Sequence, residues 1–173
     1  MNIYLFGGSS FAGKAFIDCC RYSKNNLNLF IFSRKEKDNF KIDLKVPSSF
    51  KPINDDKFII VSFVPLWEFS NFIEILFEKY KNRIEKLYGI VVCSSSSVIS
   101  KKYESNHFDK ELFNKLNFGE NKILKISKKL KISCSIIRPT MIYDSFSNSR
   151  DKNISKILSL MRITGFVILP SKT

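Results

Sequence analysis

Three glycines and two serines lie in one short stretch near the amino terminus, in an order that suits a phosphate group. The stretch reads Gly7-Gly8-Ser9-Ser10-Phe11-Ala12-Gly13 and joins an apolar run, residues 2–6, to a segment of helical period, residues 12–22. Small residues let backbone N–H groups approach a pyrophosphate, and the amino terminus of a helix adds donors and a favourable dipole. The stretch therefore predicts a dinucleotide-binding turn, with a glycine-rich turn that holds no ligand as the alternative. Because Ser10 stands where a middle glycine is usual, we expect the turn to lie slightly further from the phosphate.

Cations follow the second predicted strand, residues 27–32, where the chain reads Ser33-Arg34-Lys35. A carboxylate here would accept hydrogen bonds from a ribose 2′-hydroxyl and repel a 2′-phosphate, whereas a serine and two cations do the opposite. The segment therefore favours NADP(H) over NAD(H), with ordinary surface cations as the alternative. Asp43, beyond the next short segment, either places a carboxylate near the adenine or is a solvated loop residue.

Apolar runs rich in β-branched and aromatic residues alternate with longer segments of helical period. The runs predict strands at 2–6, 27–32, 57–62, 89–93 and 133–138, and the longer segments predict helices at 12–22, 66–80, 110–130 and 154–163. This alternation is typical of βαβ units in a parallel sheet. It predicts an α/β fold, a Rossmann-type doubly wound parallel sheet in a three-layer αβα arrangement. The ligand site of such a fold lies beyond the carboxyl ends of the strands.

Length and composition favour one cytosolic domain. The chain has 173 residues, of which 44% are hydrophobic, enough for one sizeable core. We place the nucleotide-binding domain at residues 1–144 and the start of an incomplete substrate-binding region at 145–173. No run approaches the roughly 20 apolar residues of a membrane span, and the first strand begins without a basic leader. We therefore expect a cytoplasmic protein with no membrane partner.

The four cysteines show no metal or redox spacing. Cys19 and Cys20 are neighbours on a predicted helix, and Cys93 and Cys134 fall in predicted strands, so we interpret them as small buried apolar residues. His107 is the only histidine, which leaves little for a histidine-rich metal site or a Ser-His-Asp relay. We therefore expect no metal.

A net charge of +13 would indicate a nucleic-acid partner if the cations lay on one face. The lysines are instead spread along the chain. The densest run alternates with apolar residues at helical spacing and comprises Lys122, Lys125, Lys128, Lys129 and Lys131. That pattern is typical of the solvated face of an amphipathic helix, so we expect no nucleic-acid partner.

Five motifs follow one another along the chain. They are the glycine turn, Pro65-Leu66-Trp67, Ser94-Ser95-Ser96-Ser97-Val98, Arg138-Pro139-Thr140-Met141-Ile142-Tyr143 and Arg150-Asp151-Lys152-Asn153-Ile154. Together they resemble the extended short-chain dehydrogenase/reductases, and within them the NAD-dependent epimerase/dehydratase family of nucleotide-sugar enzymes. The resemblance implies NADP or NAD as cofactor, a nucleotide-sugar substrate and a homodimer. The implied cofactor contacts are the glycine turn, Ser33, Arg34, Asp43, Pro65, Ser94, Arg138 and Pro139.

The family's catalytic residues are only partly present. In the family a serine of the serine run polarises the substrate, and the matching residue here is Ser95, with Ser96 as the alternative. The family's general acid/base is the tyrosine of a Tyr-x-x-x-Lys pair. Counted from Arg138, with Glu120 taken as the glutamate that follows the lysine, Leu112 and Leu116 occupy those two positions.

Other residues offer incomplete replacements for that pair. Phe118 and Lys122 have the right spacing, but phenylalanine carries no proton and both lie too close to Arg138. Tyr103 and Tyr143 are the candidate replacement acids, although Tyr103 has no lysine four residues on and Tyr143 fits better as the residue that closes the strand end beside the nicotinamide.

Two functions follow as hypotheses. The first is a dinucleotide-binding protein that resembles nucleotide-sugar epimerase/dehydratases but has weak or no turnover, because the Tyr-x-x-x-Lys pair is missing. The second is an active, atypical oxidoreductase or epimerase acting on a nucleotide sugar. Family members continue into a C-terminal substrate domain, and this chain ends at the threshold of that domain, so we expect a truncated member.

Overall fold

A six-stranded sheet, parallel throughout, forms the centre of the compact unit Met1–Thr140. A computed structural model describes residues 1–23, 27–34, 40–103, 105–140 and 152–166. The strands are β1 (Asn2–Phe6), β2 (Asn28–Ser33), β3 (Phe40–Lys41), β4 (Phe58–Ser62), β5 (Leu87–Cys93) and β6 (Ser133–Ile137). They pair in the order β3-β2-β1-β4-β5-β6. The predicted doubly wound parallel sheet is therefore confirmed.

Helices connect the strands on both sides of the sheet. They are α1 (Phe11–Tyr22), α2 (Leu66–Lys79), α3 (Ser97–Ser100) and α4 (His107–Leu130), with 3-10 turns at Pro47–Ser49 and Lys81–Ile84. A fifth helix, α5 (Lys152–Thr164), follows β6 along the chain. Residues Met1–Thr140 form one compact unit and Met141–Thr173 a second, which contains α5. The predicted boundary at 144/145 stays a prediction, since residues 141–151 lie outside the described residues.

Each face of the sheet has its own apolar core. On one face α2 and α4 pack with aromatic rings of β1, β2 and β4 in one cluster. In it Tyr4 stacks on Phe58 at 4.3 Å between ring centroids, and Phe6 stacks on Phe32 at 5.1 Å. On the other face Phe16 and Ile17 of α1 pack against a smaller cluster, Ile3, Leu5 and Val61. Aromatic side chains bury the most apolar area per residue, so we assign most of the core stabilisation to the first face. The predicted three-layer arrangement follows from these two contacts.

Sequence pattern missed four short elements, the two 3-10 turns among them, and placed the starts of α4 and α5 too late. β3 has two residues and α3 has four, both too short to show a period. α4 begins at His107 rather than at residue 110, because the side chain of Asn106 accepts the Phe108 N–H at 2.9 Å and caps the helix there.

The predicted burial of the cysteines is wrong for Cys19, which is exposed on α1, while the other three are partly buried. No disulfide joins them. Among the described residues no group of three potential ligand side chains comes together to hold a metal ion. The described helices include none that is long and apolar enough to cross a membrane.

The lysines of α4 are partly engaged with neighbouring rings and carboxylates. Lys125, Lys128, Lys129 and Lys131 are exposed, as the solvated-face interpretation predicts. Lys122 differs, since its ammonium donates to Asn71 Oδ1 at 2.8 Å and to Glu74 Oε2 at 2.5 Å on α2. Lys115 and Lys129 lie over the rings of Trp67 and Phe77, at 5.7 and 5.6 Å from the centroids. These contacts bind α4 to α2.

Candidate functional site

The turn between β1 and α1 has a backbone that requires glycine. Gly7 has φ +82°, and a Cβ there would lie 2.8 Å from the carbonyl carbon of Phe63 and 2.9 Å from the nitrogen of Val64. A Cβ at Gly13 would overlap the carbonyl oxygen of Gly7 and lie 2.9 Å from the Cα of Gly8. The first turn of α1 therefore packs directly on the end of β1, which small residues alone allow.

Ser10, at the position of the usual middle glycine, is the N-cap of α1. Its backbone N–H and its hydroxyl both donate to the carbonyl oxygen of Gly7, at 2.9 and 2.8 Å, and its Oγ accepts the Gly13 N–H at 3.0 Å. The first N–H groups of a helix have no intrahelical acceptor, and this cap satisfies only that of Gly13. The N–H groups of Phe11 and Ala12 remain at the amino terminus of the helix, where the dipole favours an anion.

A cavity of about 370 Å³ opens beside this turn, at the carboxyl ends of the central strands. It brings together four segments that are distant in the sequence. The lining residues are Phe6, Gly7, Gly8, Ser9, Phe32, Ser33, Arg34, Ile42, Asp43, Leu44, Lys45, Val64, Pro65 and Glu68. We call this the β1–β4 cavity. Strand order reverses between β1 and β4 at this point, and ligands of open α/β sheets bind in the crevice at such a reversal.

Seven of the residues predicted from sequence as cofactor contacts line this cavity: Gly7, Gly8, Ser9, Ser33, Arg34, Asp43 and Pro65. Ser10, Phe11, Ala12 and Gly13 belong to the adjoining turn and first turn of α1. Lys35, the other predicted cation, lies outside the described residues.

Two charged residues of the cavity were missed from sequence, Lys45 and Glu68. Lys45 was detectable in principle, since it stands two residues after Asp43. Glu68 stands in the first turn of α2, three residues after Pro65, where an acidic residue also suits the helix dipole. The rim of the cavity therefore carries two cations and two carboxylates.

A tight turn after β3 fixes Asp43 at the cavity. Its Oδ1 accepts the Lys45 N–H at 2.9 Å, and its carbonyl oxygen accepts the Val46 N–H at 2.9 Å. The Ile42 N–H donates to the Ser33 carbonyl oxygen at 2.9 Å, which attaches the turn to the end of β2. One carboxylate oxygen of Asp43 thus shapes the loop, and both sequence interpretations of this residue stay open.

The serine run after β5 lies beside the end of β6. The Ser94 N–H donates to the Ile137 carbonyl oxygen at 2.7 Å, and the Ser96 N–H donates to the Pro139 carbonyl oxygen at 3.0 Å. The Ser95 hydroxyl donates to Ser97 Oγ at 3.0 Å and accepts the Ser97 N–H at 3.2 Å. The loop after β5, Ser94–Ser97, is therefore hydrogen-bonded to the loop after β6, Arg138–Pro139, and we call these two loops the ledge. The hydroxyl of Ser95 bonds to the start of α3 rather than to a base.

A buried carboxylate supports this ledge. Glu120 of α4 is 3% exposed, and its Oε1 accepts from the Ser94 hydroxyl at 2.6 Å and from Arg138 Nε at 2.9 Å. Its Oε2 accepts from Arg138 Nη2 at 2.6 Å. Burial raises the pKa of Glu120, but the hydrogen bonds from Arg138 and Ser94 and the guanidinium charge lower it more, so the net shift is downward. The same bonds raise the pKa of Arg138.

This cluster changes how two predicted cofactor contacts are interpreted. Ser94 and Arg138 both direct hydrogen bonds to Glu120, which sequence reasoning used only to count positions. The signal was available: Glu120 falls within the apolar stripe of α4, between Leu116 and Ile123, both buried. A charged residue in such a stripe indicates a buried partner.

No tyrosine–lysine pair forms among the described residues at the predicted catalytic positions. Leu116 is buried and Leu112 is partly buried. Tyr103 is 87% exposed and lines a separate groove with Val98, Ile99, Lys102, Phe113 and Asn117. Lys122 lies over the Phe118 ring at 4.5 Å and is held by Glu74. Tyr143 lies outside the described residues.

Comparison with solved structures identifies the fold. Neither the known protein families nor the curated proteins give a match to this sequence. Among solved structures, the chain is similar to Gre2 of Candida albicans in complex with NADPH, with a TM-score of 0.67, 13% identity, and 91% of this chain aligned to 65% of that one. The chain has the Rossmann fold.

Two further structures agree with this assignment. The oxidoreductase ylbE of Lactococcus lactis has a TM-score of 0.58 at 14% identity, over 95% of this chain and 85% of that one. The UDP-glucuronic acid 4-epimerase of Bacillus cereus, in complex with NAD, has a TM-score of 0.60 at 14% identity, over 94% and 64%. The chain thus spans about two thirds of the Candida and Bacillus proteins. An oxidoreductase and an epimerase are the classes of protein that the sequence resemblance predicted.

Proposed function

We propose that this chain binds a nicotinamide dinucleotide, with NADP(H) preferred over NAD(H). The observation that carries the proposal is the meeting of the glycine turn with Arg34 and Lys45 around one cavity. The turn offers the pyrophosphate the helix amino terminus and the N–H groups of Phe11 and Ala12. The adenosine half then lies in the cavity over β2 and β3, and the nicotinamide half extends toward the ledge after β5 and β6. The similar structures that hold NADPH and NAD support the proposal.

The preference for NADP(H) rests on the charges at the rim of the cavity. Arg34 follows β2, where a carboxylate would bind a ribose diol, and its guanidinium offers a fork of donors to a 2′-phosphate. Lys45 adds a second cation from the turn after β3. The carboxylates of Asp43 and Glu68 oppose this preference, but one Asp43 oxygen already accepts the Lys45 N–H.

We further propose that the chain has little or no dehydrogenase or epimerase turnover. Leucines replace both members of the acid/base pair, and Ser95 has a serine rather than a base as its hydrogen-bond partner. A hydroxyl without a neighbouring base does not readily take a substrate proton near neutral pH. The second candidate is an active oxidoreductase or epimerase on a nucleotide sugar, which the place of Tyr103 in the groove beside α3 favours.

Titration tests the binding proposal. NADPH and NADH are added separately to the wild-type chain and to Ser9→Asp, which places a negative charge on an exposed residue of the phosphate turn. Asn82→Asp is the matched control, because it adds the same charge to an exposed residue away from this cavity. We expect tighter binding of NADPH than NADH, lost in Ser9→Asp and kept in Asn82→Asp. Equal binding by all three proteins would refute the site.

A further inference from the structure

Glu120 is the only side chain among the described residues that hydrogen-bonds to both loops of the ledge. It reaches Ser94 directly after β5 and Arg138 directly after β6, from a helix that packs against α2 and β6. The charge of Glu120 is almost completely removed from water, while the Arg138 side chain remains 41% exposed. A buried carboxylate needs fixed donors, so this one holds both donors in place.

The backbone adds a second connection to the same loops. The Ser94 and Ser96 N–H groups donate to the carbonyl oxygens of Ile137 and Pro139. These backbone bonds join the two loops to each other, but they join neither loop to α4. The hydrogen bonds of Glu120 do join them to α4, so this side chain holds both loops against the helix.

We infer that Glu120 is the positioning residue for the nicotinamide half of the dinucleotide, an inference that rests on the proposed function. The glycine turn divides the ligand crevice, with the β1–β4 cavity, where we place the adenosine half, on the side of β2 and β3 and the ledge on the side of β5 and β6. A dinucleotide that crosses the crevice contacts both halves. Glu120 acts on the second half alone, because its hydrogen bonds go to Ser94 and Arg138 and neither lines the cavity.

Two probes of different length separate this role from general stability. Adenosine 2′,5′-bisphosphate occupies only the adenosine half of the crevice, whereas NADPH occupies both halves. In Glu120→Gln we expect the affinity for the bisphosphate to stay within about twofold of wild type. We expect the affinity for NADPH to fall roughly tenfold, because loops that Glu120 no longer holds must be ordered when the ligand binds.

Glu74→Gln is the matched control. This variant also removes a carboxylate, in this case one of α2 that pairs with Lys122 of α4. Glu74 lies neither in the cavity lining nor in the ledge. We expect both affinities to be unchanged in this variant. Ser94→Ala is the second test variant and serves if Glu120→Gln does not fold. Ser94→Ala removes one hydrogen bond to Glu120 and leaves the ion pair of Glu120 with Arg138 intact. We expect a smaller loss of NADPH affinity there, again without a change for the bisphosphate.

The outcomes distinguish this inference from the proposed function. Wild-type protein that binds neither probe would overturn both. Wild-type binding of both probes, with an equal loss for both in the folded variants or with no loss for NADPH, would overturn the role of Glu120 and leave dinucleotide binding intact.

Discussion

The hydroxyl of Ser10 donates to the carbonyl oxygen of Gly7 at 2.8 Å and closes the phosphate turn on itself. The same oxygen atom of Ser10 accepts the N–H of Gly13. A serine can therefore occupy the position where glycine is usual, because its hydroxyl makes two hydrogen bonds that stabilise the turn. These bonds restrain the backbone of the turn, which lowers the entropy cost of ordering it around a ligand.

Ser10→Ala should lower the free energy of unfolding by about 1 kcal/mol, because the helix loses its N-cap. Urea denaturation followed by circular dichroism measures this. Ser9→Ala is the control, since Ser9 is an exposed neighbour in the same turn and does not cap α1. Equal stability of the two variants would show that the Ser10 cap contributes nothing.

Gly7→Val should abolish NADPH binding and destabilise the fold by roughly 1–3 kcal/mol, since φ +82° strains any residue with a Cβ. The added Cβ also meets the backbone of Phe63 and Val64, which cannot move without displacing the end of β4. Thermal unfolding and NADPH titration measure the two effects. Gly89→Ala is the control, because a Cβ there finds ordinary contacts from 3.4 Å outward. Unchanged affinity in Gly7→Val would remove the site from this turn.

Arg34→Ala should weaken NADPH binding roughly tenfold to hundredfold and leave NADH binding almost unchanged. The loss corresponds to about 1.5–3 kcal/mol for a hydrogen bond to a charged group. Calorimetric titration with each cofactor measures the ratio. Arg21→Ala removes an exposed arginine from α1, outside the cavity, and should affect neither cofactor. A similar loss for both cofactors in Arg34→Ala would show that Arg34 does not read the 2′-phosphate.

Oxidation or reduction of nucleotide sugars should stay near background while NADPH still binds. General acid/base catalysis contributes about 10² to 10⁴ in rate, and neither Leu112 nor Leu116 can transfer a proton. Absorbance of the reduced cofactor measures turnover with a panel of nucleotide sugars. Robust turnover that disappears in Tyr103→Phe or Tyr143→Phe would contradict this prediction and identify a relocated acid.

Lowering the pH should reduce the free energy of unfolding, because Glu120 becomes protonated and loses its contribution to stability. The pKa of this carboxyl is lower in the folded chain than in the unfolded one, so its contribution is present above the unfolded pKa and disappears as the pH falls through the folded pKa. Glu120→Gln should cost roughly 1–3 kcal/mol at neutral pH, a range reduced from that of a fully buried pair because Arg138 is partly exposed. Urea denaturation at neutral and acid pH should show the difference between wild type and variant shrinking in acid. Glu78→Gln, at an exposed carboxylate of α2 away from this cluster, should leave the pH profile nearly unchanged. A constant difference between Glu120→Gln and wild type at all pH values would contradict the assignment.

The sequence predicted the long elements and the turn because their signals are local. β1 was predicted with the observed bounds, since an apolar run stops at a glycine that must take positive φ. The cavity depended on tertiary structure. Lys45 follows β3 and Glu68 follows β4, so their meeting depends on the pairing of β3 with β2 and of β4 with β1. A strand of two residues, such as β3, has no period to detect. The sequence shows Glu120 as a charged residue within the apolar stripe of α4. Its partners Ser94 and Arg138 follow two different strands, and spacing along the chain does not reveal that they meet at Glu120.

Trp67 lies between a buried residue of the core, Leu66, and a residue of the cavity wall, Glu68. It is the only tryptophan of the chain. Indole emits at wavelengths where reduced nicotinamide absorbs, so a reduced cofactor bound in the crevice would quench the indole emission by energy transfer and fluoresce itself. Trp67 can therefore serve as an intrinsic fluorescent probe of the proposed binding, without an attached dye.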